Sequence, residues 1–155
     1  MNNYTVKIEN DILYKRQSNE LIAYVDGSYD KNTHEYAFGC VLLEGESIVK
    51  TLYGKDNKPD LVEMRNVAGE IWGSQKAIEF ALINRYKQLT IYYDYEGIEK
   101  WANDEWKAHK LGTMKYKQFV QASRHYLDIN FVKVAAHTGD TYNEMADKLA
   151  KKALR

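Results

Sequence analysis

The chain is expected to fold as an α/β domain: a five-stranded mixed sheet flanked by helices, with the element order βββαβααβα. Three observations predict this. A length of 155 residues suits one domain. With 45% apolar and 28% charged residues, the chain can bury a core and is not of the disordered class. The apolar period then changes along the chain, from alternation to helical spacing and back.

Residues 1–19 are mixed and polar without a clear period, and read as an extension of unassigned role; the folded domain is expected over residues 20–155. Leu21-Ile22-Ala23-Tyr24-Val25-Asp26 is a β-type run, with Gly27-Ser28 as its stop signal. Tyr36 to Leu43 and Ser47 to Tyr53 are two more, joined across Glu44-Gly45-Glu46 as a hairpin. Between residues 66 and 84, Val67, Ile71, Ser74, Ile78 and Leu82 recur at helical spacing. Gln88 to Asp94 returns to a strand. Ile98 to Trp106 and Met114 to Tyr126 read as helices separated by Leu111-Gly112-Thr113, and Ile129 to Val134 as the fifth strand. The last helix is expected from Tyr142 to Leu154, with Thr141-Tyr142-Asn143-Glu144 fitting a capping box at its start.

A single cysteine, Cys40, leaves no internal disulfide and no cysteine cluster for a structural zinc; it reads as a small buried hydrophobe. No apolar run approaches membrane-spanning length, and the first residues lack the pattern of a secretory signal. A cytoplasmic location without membrane contact is the expectation. Net charge is zero, so bulk electrostatics make no case for nucleic acid. The distribution is uneven, however: residues 1–83 hold 9 basic and 13 acidic side chains, and residues 84–155 hold 13 and 9. Residues 100–124 alone carry Lys100, Lys107, Lys110, Lys115, Lys117 and Arg124 against Asp104 and Glu105.

Four acids stand in positions that invite a common purpose. Asp26 and Asp94 end apolar strand runs, and ligands of α/β sheets gather outside strand ends where strand order changes. Glu70 falls early in the long helix, where the helix dipole alone favours an acid. Asp147 shares a helix face with Asn143, and pairing with Lys151 at i+4 would account for it equally well. Each has a structural explanation when taken singly. Together they could converge, and converging carboxylates need a hard divalent cation, Mg²⁺ or Mn²⁺.

The blocks Tyr24-Val25-Asp26-Gly27-Ser28-Tyr29, Arg65-Asn66-Val67-Ala68-Gly69-Glu70, Ile91-Tyr92-Tyr93-Asp94, Ala136-His137-Thr138-Gly139-Asp140 and Asn143-Glu144-Met145-Ala146-Asp147-Lys148-Leu149-Ala150 resemble type 1 ribonuclease H, in the family's order. The stretch Asp94-Tyr95-Glu96-Gly97-Ile98-Glu99-Lys100-Trp101 is similar to the bacterial subgroup. The resemblance implies a ribonuclease H-like fold. It also implies an endonuclease cutting the RNA strand of RNA–DNA hybrids with two Mg²⁺ ions, for which Mn²⁺ can substitute, to leave 5′-phosphate and 3′-hydroxyl ends. Asp26, Glu70, Asp94 and Asp147 would be its metal-binding acids. Asp26 would bridge both ions, Asp147 would serve the nucleophile side, and Glu70 and Asp94 the leaving side. His137 matches the family's mobile-loop histidine, which assists proton handling or product release. Asn66 and Asn143 match residues near the hybrid and the reacting phosphate, and Gly27 and Ser28 lie where contacts to the 2′-hydroxyl would form.

Lys107, Lys110, Lys115 and Lys117 occupy the place of the family's basic protrusion, and would grip the DNA strand. The plainer reading puts these lysines in water, with Trp101, Trp106, Tyr116 and Phe119 mostly in a core. His34, His109 and His125 read as surface or packing residues. No separate N-terminal hybrid-binding domain and no obligate protein partner are expected. Two other classes remain open: resolvase- or integrase-type nucleases that share the acid-bearing sheet, and a non-catalytic hybrid-binding module.

Overall fold

The computed structural model describes residues 16–134 and 141–155. Its sheet comprises β1 (Glu20–Asp30), β2 (Glu35–Glu44), β3 (Ser47–Asp56), β4 (Gln88–Tyr93) and β5 (Asp128–Lys133), and its helices are α1 (Asn66–Ile83), α2 (Gly97–Ala102), α3 (Leu111–Ser123) and α4 (Thr141–Ala153). A single 3₁₀ turn, Val62–Met64, leads into α1. Strand order is β3-β2-β1-β4-β5, antiparallel between the first three and parallel from β1 through β4 to β5. The element order is the one the periodicity predicts.

Alternation along the strands sends residues to opposite sheet faces. Leu21, Ala23 and Val25 of β1, Phe38, Cys40 and Leu42 of β2, and Leu89 and Ile91 of β4 are buried in one core with Ile71, Ala77 and Ile78 of α1 and Tyr116 and Val120 of α3. The opposite face carries a much smaller cluster, in which Val41, Leu43 and Ala146 are buried and Ile22, Tyr24 and Leu149 pack against them. Among the described residues, α4 alone covers that side, over β1, β2 and β3. Among the described residues, no helix is long and apolar enough to cross a membrane.

Four expectations are corrected. Gly27-Ser28 does not stop β1, which continues to Asp30 because β2 pairs with it as far as Asp30 opposite Glu35. Asp26 therefore lies within a strand, and only the parallel partner β4 stops beside it. α2 ends at Ala102, four residues short of Trp106, because Asp104 turns left-handed (φ 62°), a conformation Asp tolerates. Leu111-Gly112-Thr113 is the first turn of α3 and not a break: the Lys110 amide donates to Thr113 Oγ1 at 3.2 Å, and that hydroxyl donates back to the Lys110 carbonyl. Finally, α4 already includes Thr141, so the residue that would cap it lies outside the described residues.

Candidate active site

Two glycines bring both helix layers down onto the sheet backbone around Asp26. A Cβ on Gly27 would sit 2.0 Å from the Asn66 carbonyl oxygen and 2.7 Å from the Glu70 amide, so α1 can pack here only against glycine. Gly39 is the cross-strand partner of Asp26. A Cβ there would meet the Ala146 carbonyl oxygen at 2.0 Å, so α4 is equally close on the other face. Gly27 thus places Glu70, and Gly39 places Asp147, on either side of one strand. The third acid follows from register. Tyr24 pairs with Tyr92, and two residues further along the same register Asp26 faces Asp94, just where β4 ends.

The acids differ in how they are held. Glu70 is 3% exposed. Its Oε2 accepts the Asp94 amide at 2.7 Å and its Oε1 the Tyr95 amide at 3.0 Å, which ties α1 to the end of β4. Burial pushes its carboxyl up to about 8; the two amides pull it back, and the charges of Asp26 and Asp94 add to the rise. Asp26 accepts the Gly27 amide at 2.8 Å. Burial again dominates and lifts it to about 7, with contributions from Asp94 and from Asp147, whose carboxyl lies within hydrogen-bonding reach. Asp147 also meets the Lys151 ammonium at 3.0 Å, so the i+4 pairing read from the sequence is present as well.

Among the described residues the groups gathered here are oxygen donors, which is the chemistry of a hard cation such as Mg²⁺ or Mn²⁺. Among the described residues, no three acidic, histidine or cysteine side chains already close around one point. The carboxyls stand as Asp26 with Asp147, and Glu70 bound to the Asp94 and Tyr95 backbone. A dication would offset the burial and mutual repulsion that raise Asp26 and Glu70, so the donor set fits one.

Ser28 pairs with Ala37 in β1, two residues past Asp26. Asn66 is exposed at the first position of α1, and Asn143 is half-buried in the first turn of α4. His137 lies outside the described residues. His34, expected as a surface or packing residue, is exposed and brings Nδ1 to 3.1 Å from the Tyr29 hydroxyl. Cys40 is fully buried and burial pushes its thiol well up, as a packing residue requires. Trp101 and Tyr116 are in the core, while Trp106 and Phe119 pack at its edge. Of the four lysines, Lys107 is exposed, but the others are engaged: Lys110 with Glu63 at 3.7 Å, Lys115 with Asp60 at 2.7 Å, and Lys117 with Asp104.

Sequence reasoning missed three features. Gly39 passed as one member of an apolar run. Arg65, at φ 56° just before α1, stacks its guanidinium over the Tyr29 ring at 5.5 Å, and no motif signals that pairing. The acids Asp60 and Glu63 carry no local sign that they meet lysines about fifty residues onward.

A five-stranded mixed sheet with acids gathered where its central parallel pair ends defines a ribonuclease H-like α/β domain. The ribonuclease H family profile matches residues 18–155, and the chain belongs to that family. It is 31% identical over 144 residues to a ribonuclease H of Wolbachia pipientis wMel, covering 87% of this chain and 95% of that one. It is 26% identical over 152 residues to the ribonuclease H of Francisella tularensis subsp. novicida, covering 90% and 93%. Among solved structures, RNase H1 from the halophilic archaeon Halobacterium salinarum NRC-1 superposes with a TM-score of 0.72 at 23% identity, over 87% of this chain and 97% of that one. LC11-RNase H1, solved in complex with an RNA/DNA hybrid, superposes at 0.68 with 14% identity, over 87% and 99%.

Proposed function

We propose that this ribonuclease H cleaves the RNA strand of RNA–DNA hybrids with two divalent cations, Mg²⁺ or Mn²⁺, leaving 5′-phosphate and 3′-hydroxyl ends. The observation that carries the reading is that the charges of Asp147 and Asp94 both reach Asp26, with Glu70 buried nearby and both Asp26 and Glu70 raised by burial and mutual repulsion. A solved relative of the same fold carries an RNA/DNA hybrid, which supports the substrate class.

Asp26, Glu70, Asp94 and Asp147 would hold the cations. When bound, these supply activation of the attacking water and stabilisation of the leaving oxygen. The protein's part is to present and keep that arrangement. Glu70 locks the end of β4 through two amides, which sets where Asp94 points. Gly27 lets backbone approach backbone, and Ser28 and Asn66 stand beside it to read the 2′-hydroxyl, the group that marks RNA. Asn143, on the α4 face with Asp147, is placed near the reacting phosphate. His137 assists proton transfer or product release from the connection before α4. The domain so defined spans residues 20–155, with residues 1–19 as an extension. A lone buried thiol suits a reducing compartment, which supports a cytoplasmic location.

The test is a gel with the RNA and DNA strands labelled separately. Cleavage of RNA in the hybrid with Mg²⁺, its absence in EDTA, and intact DNA are expected. Cutting of duplex DNA or a four-way junction, with the hybrid spared, would place the chain with the resolvase-type nucleases. No cutting of any substrate would make it a binding module.

A further inference from the structure

The lysines assigned to the DNA strand already hold anions of the protein's own. Lys110 and Lys115 of the α3 start meet Glu63 and Asp60, on the segment that runs into Asn66 and the first turn of α1. Lys117 meets Asp104, at the end of α2. These acids come from two separate segments, yet each lands on a lysine of one short stretch. Among the described residues Lys107 has no ion pair with an acid, so the basic rim is largely neutralised in the free protein.

We propose that Asp60, Glu63 and Asp104 are internal stand-ins for backbone phosphates, which the nucleic acid must displace to reach Lys110, Lys115 and Lys117. This rests on the reading of the chain as a hybrid nuclease. Carboxylate and phosphate present the same anionic oxygens to an ammonium, and an ammonium has three donors to share. Lys110–Glu63 is exposed on both sides, at 58% and 73%, while in the other two pairs one partner is exposed and the other, Asp60 or Lys117, is partly covered; ion pairs this open to water are weak. They are therefore weak enough to exchange. A displaced carboxylate nonetheless remains beside the rim and opposes the incoming strand. Affinity is set by the difference between a phosphate and the resident acid, and not by the lysine alone. Polyanions that cannot also reach the carboxylate site on the sheet gain little from such a rim, which favours the cognate hybrid over bulk nucleic acid.

The experiment compares hybrid binding in EDTA across several salt concentrations for three proteins. One is the wild type. One carries Asp60→Asn, Glu63→Gln and Asp104→Asn. The third carries Glu20→Gln, Glu46→Gln and Asp128→Asn, exposed acids at the opposite end of the strands, and so has the same net charge. The first triple variant should bind roughly 3–30-fold more tightly, with a log–log salt slope steeper by about one to three units, since each neutralised phosphate contributes about 0.9 on B-DNA. The distant triple variant should move far less. Equal gains in the two variants would reduce the effect to net charge and overturn the proposal, as would unchanged affinity in the first. Should the first triple variant fail to fold, Asp60→Asn alone carries the test, with the same direction and a smaller step. Wild-type cleavage of the hybrid in Mg²⁺ is run beside it. Cleavage with no affinity gain sinks the stand-in role alone, and absence of cleavage sinks the functional reading beneath it.

Discussion

The two faces of the sheet do different work. On the α1 face a deep core, from Leu21 through Ile78 to Val120, surrounds a carboxylate whose two oxygens are both taken by backbone amides. On the α4 face a smaller buried cluster docks a helix whose acid meets, among the described residues, the side chains of Asp26 and Lys151. Glu70 is fixed by backbone amides at the end of β4; Asp147 is held, among the described residues, through side chains. The difference between the faces lies in what holds each acid, backbone on one side and side chains on the other.

The largest effect should come from removing a charge where the two faces meet. Asp94→Asn keeps the shape and the amide that binds Glu70, but should lower hydrolysis at least ~100-fold with the fold retained, as loss of a key electrostatic group does. Near-wild-type Mg²⁺-dependent turnover would remove Asp94 from the site. Next is His137→Ala, in the connection that feeds α4. Turnover should slow by roughly 10–1000-fold, the scale of an assisting proton-transfer group, with cation binding unchanged by calorimetry.

The glycines test the asymmetry itself. Gly27→Ala forces α1 off the sheet and should destabilise the protein by ~1–3 kcal/mol or more, the cost of overpacking a core. Gly39→Ala meets α4 at the same 2.0 Å clearance. Less core is lost there, so melting should fall less while activity falls further, because Asp147 moves away from Asp26. Equal melting losses would erase the distinction between the faces.

The last effect concerns pH and the metal-free protein. Asp26 and Glu70 are raised in the folded state from 3.8 and 4.5 to about 7 and about 8. Their unfolded forms release protons first, so the stability they contribute is complete below about pH 4 and is lost as pH climbs through their folded values. The metal-free protein should melt lower at pH 8.5 than at pH 5, and excess Mg²⁺ should shrink that difference. A rising melting temperature over the same range would contradict the raised carboxyls.

Much of this was legible in the residues because it is local. The helical spacing from Val67 to Leu82 and the hairpin around Gly45 are properties of short windows, and both stand in the fold. What escaped depends on partners distant in sequence. β1 runs through Gly27 because β2 continues beside it, and Gly27 is required by the approach of α1 and not by a turn. Gly39 has meaning only once α4 lies across it. The four acids could be picked out by position and resemblance, but that the Asp94 and Tyr95 amides hold Glu70 follows only from the fold. Lys110 and Lys115 looked free because their acids, Glu63 and Asp60, lie about fifty residues earlier.

The most direct test of the four-carboxylate site is calorimetric titration of the metal-free protein with Mn²⁺ or Mg²⁺ at pH 6.5, in buffers of different ionisation enthalpy. Asp26 and Glu70 are then mostly protonated, and cation binding must expel what they carry. Release of between about one and two protons, reduced in Asp26→Asn, is the predicted result. Binding with no proton release, or release unchanged in Asp26→Asn, would place the cations elsewhere.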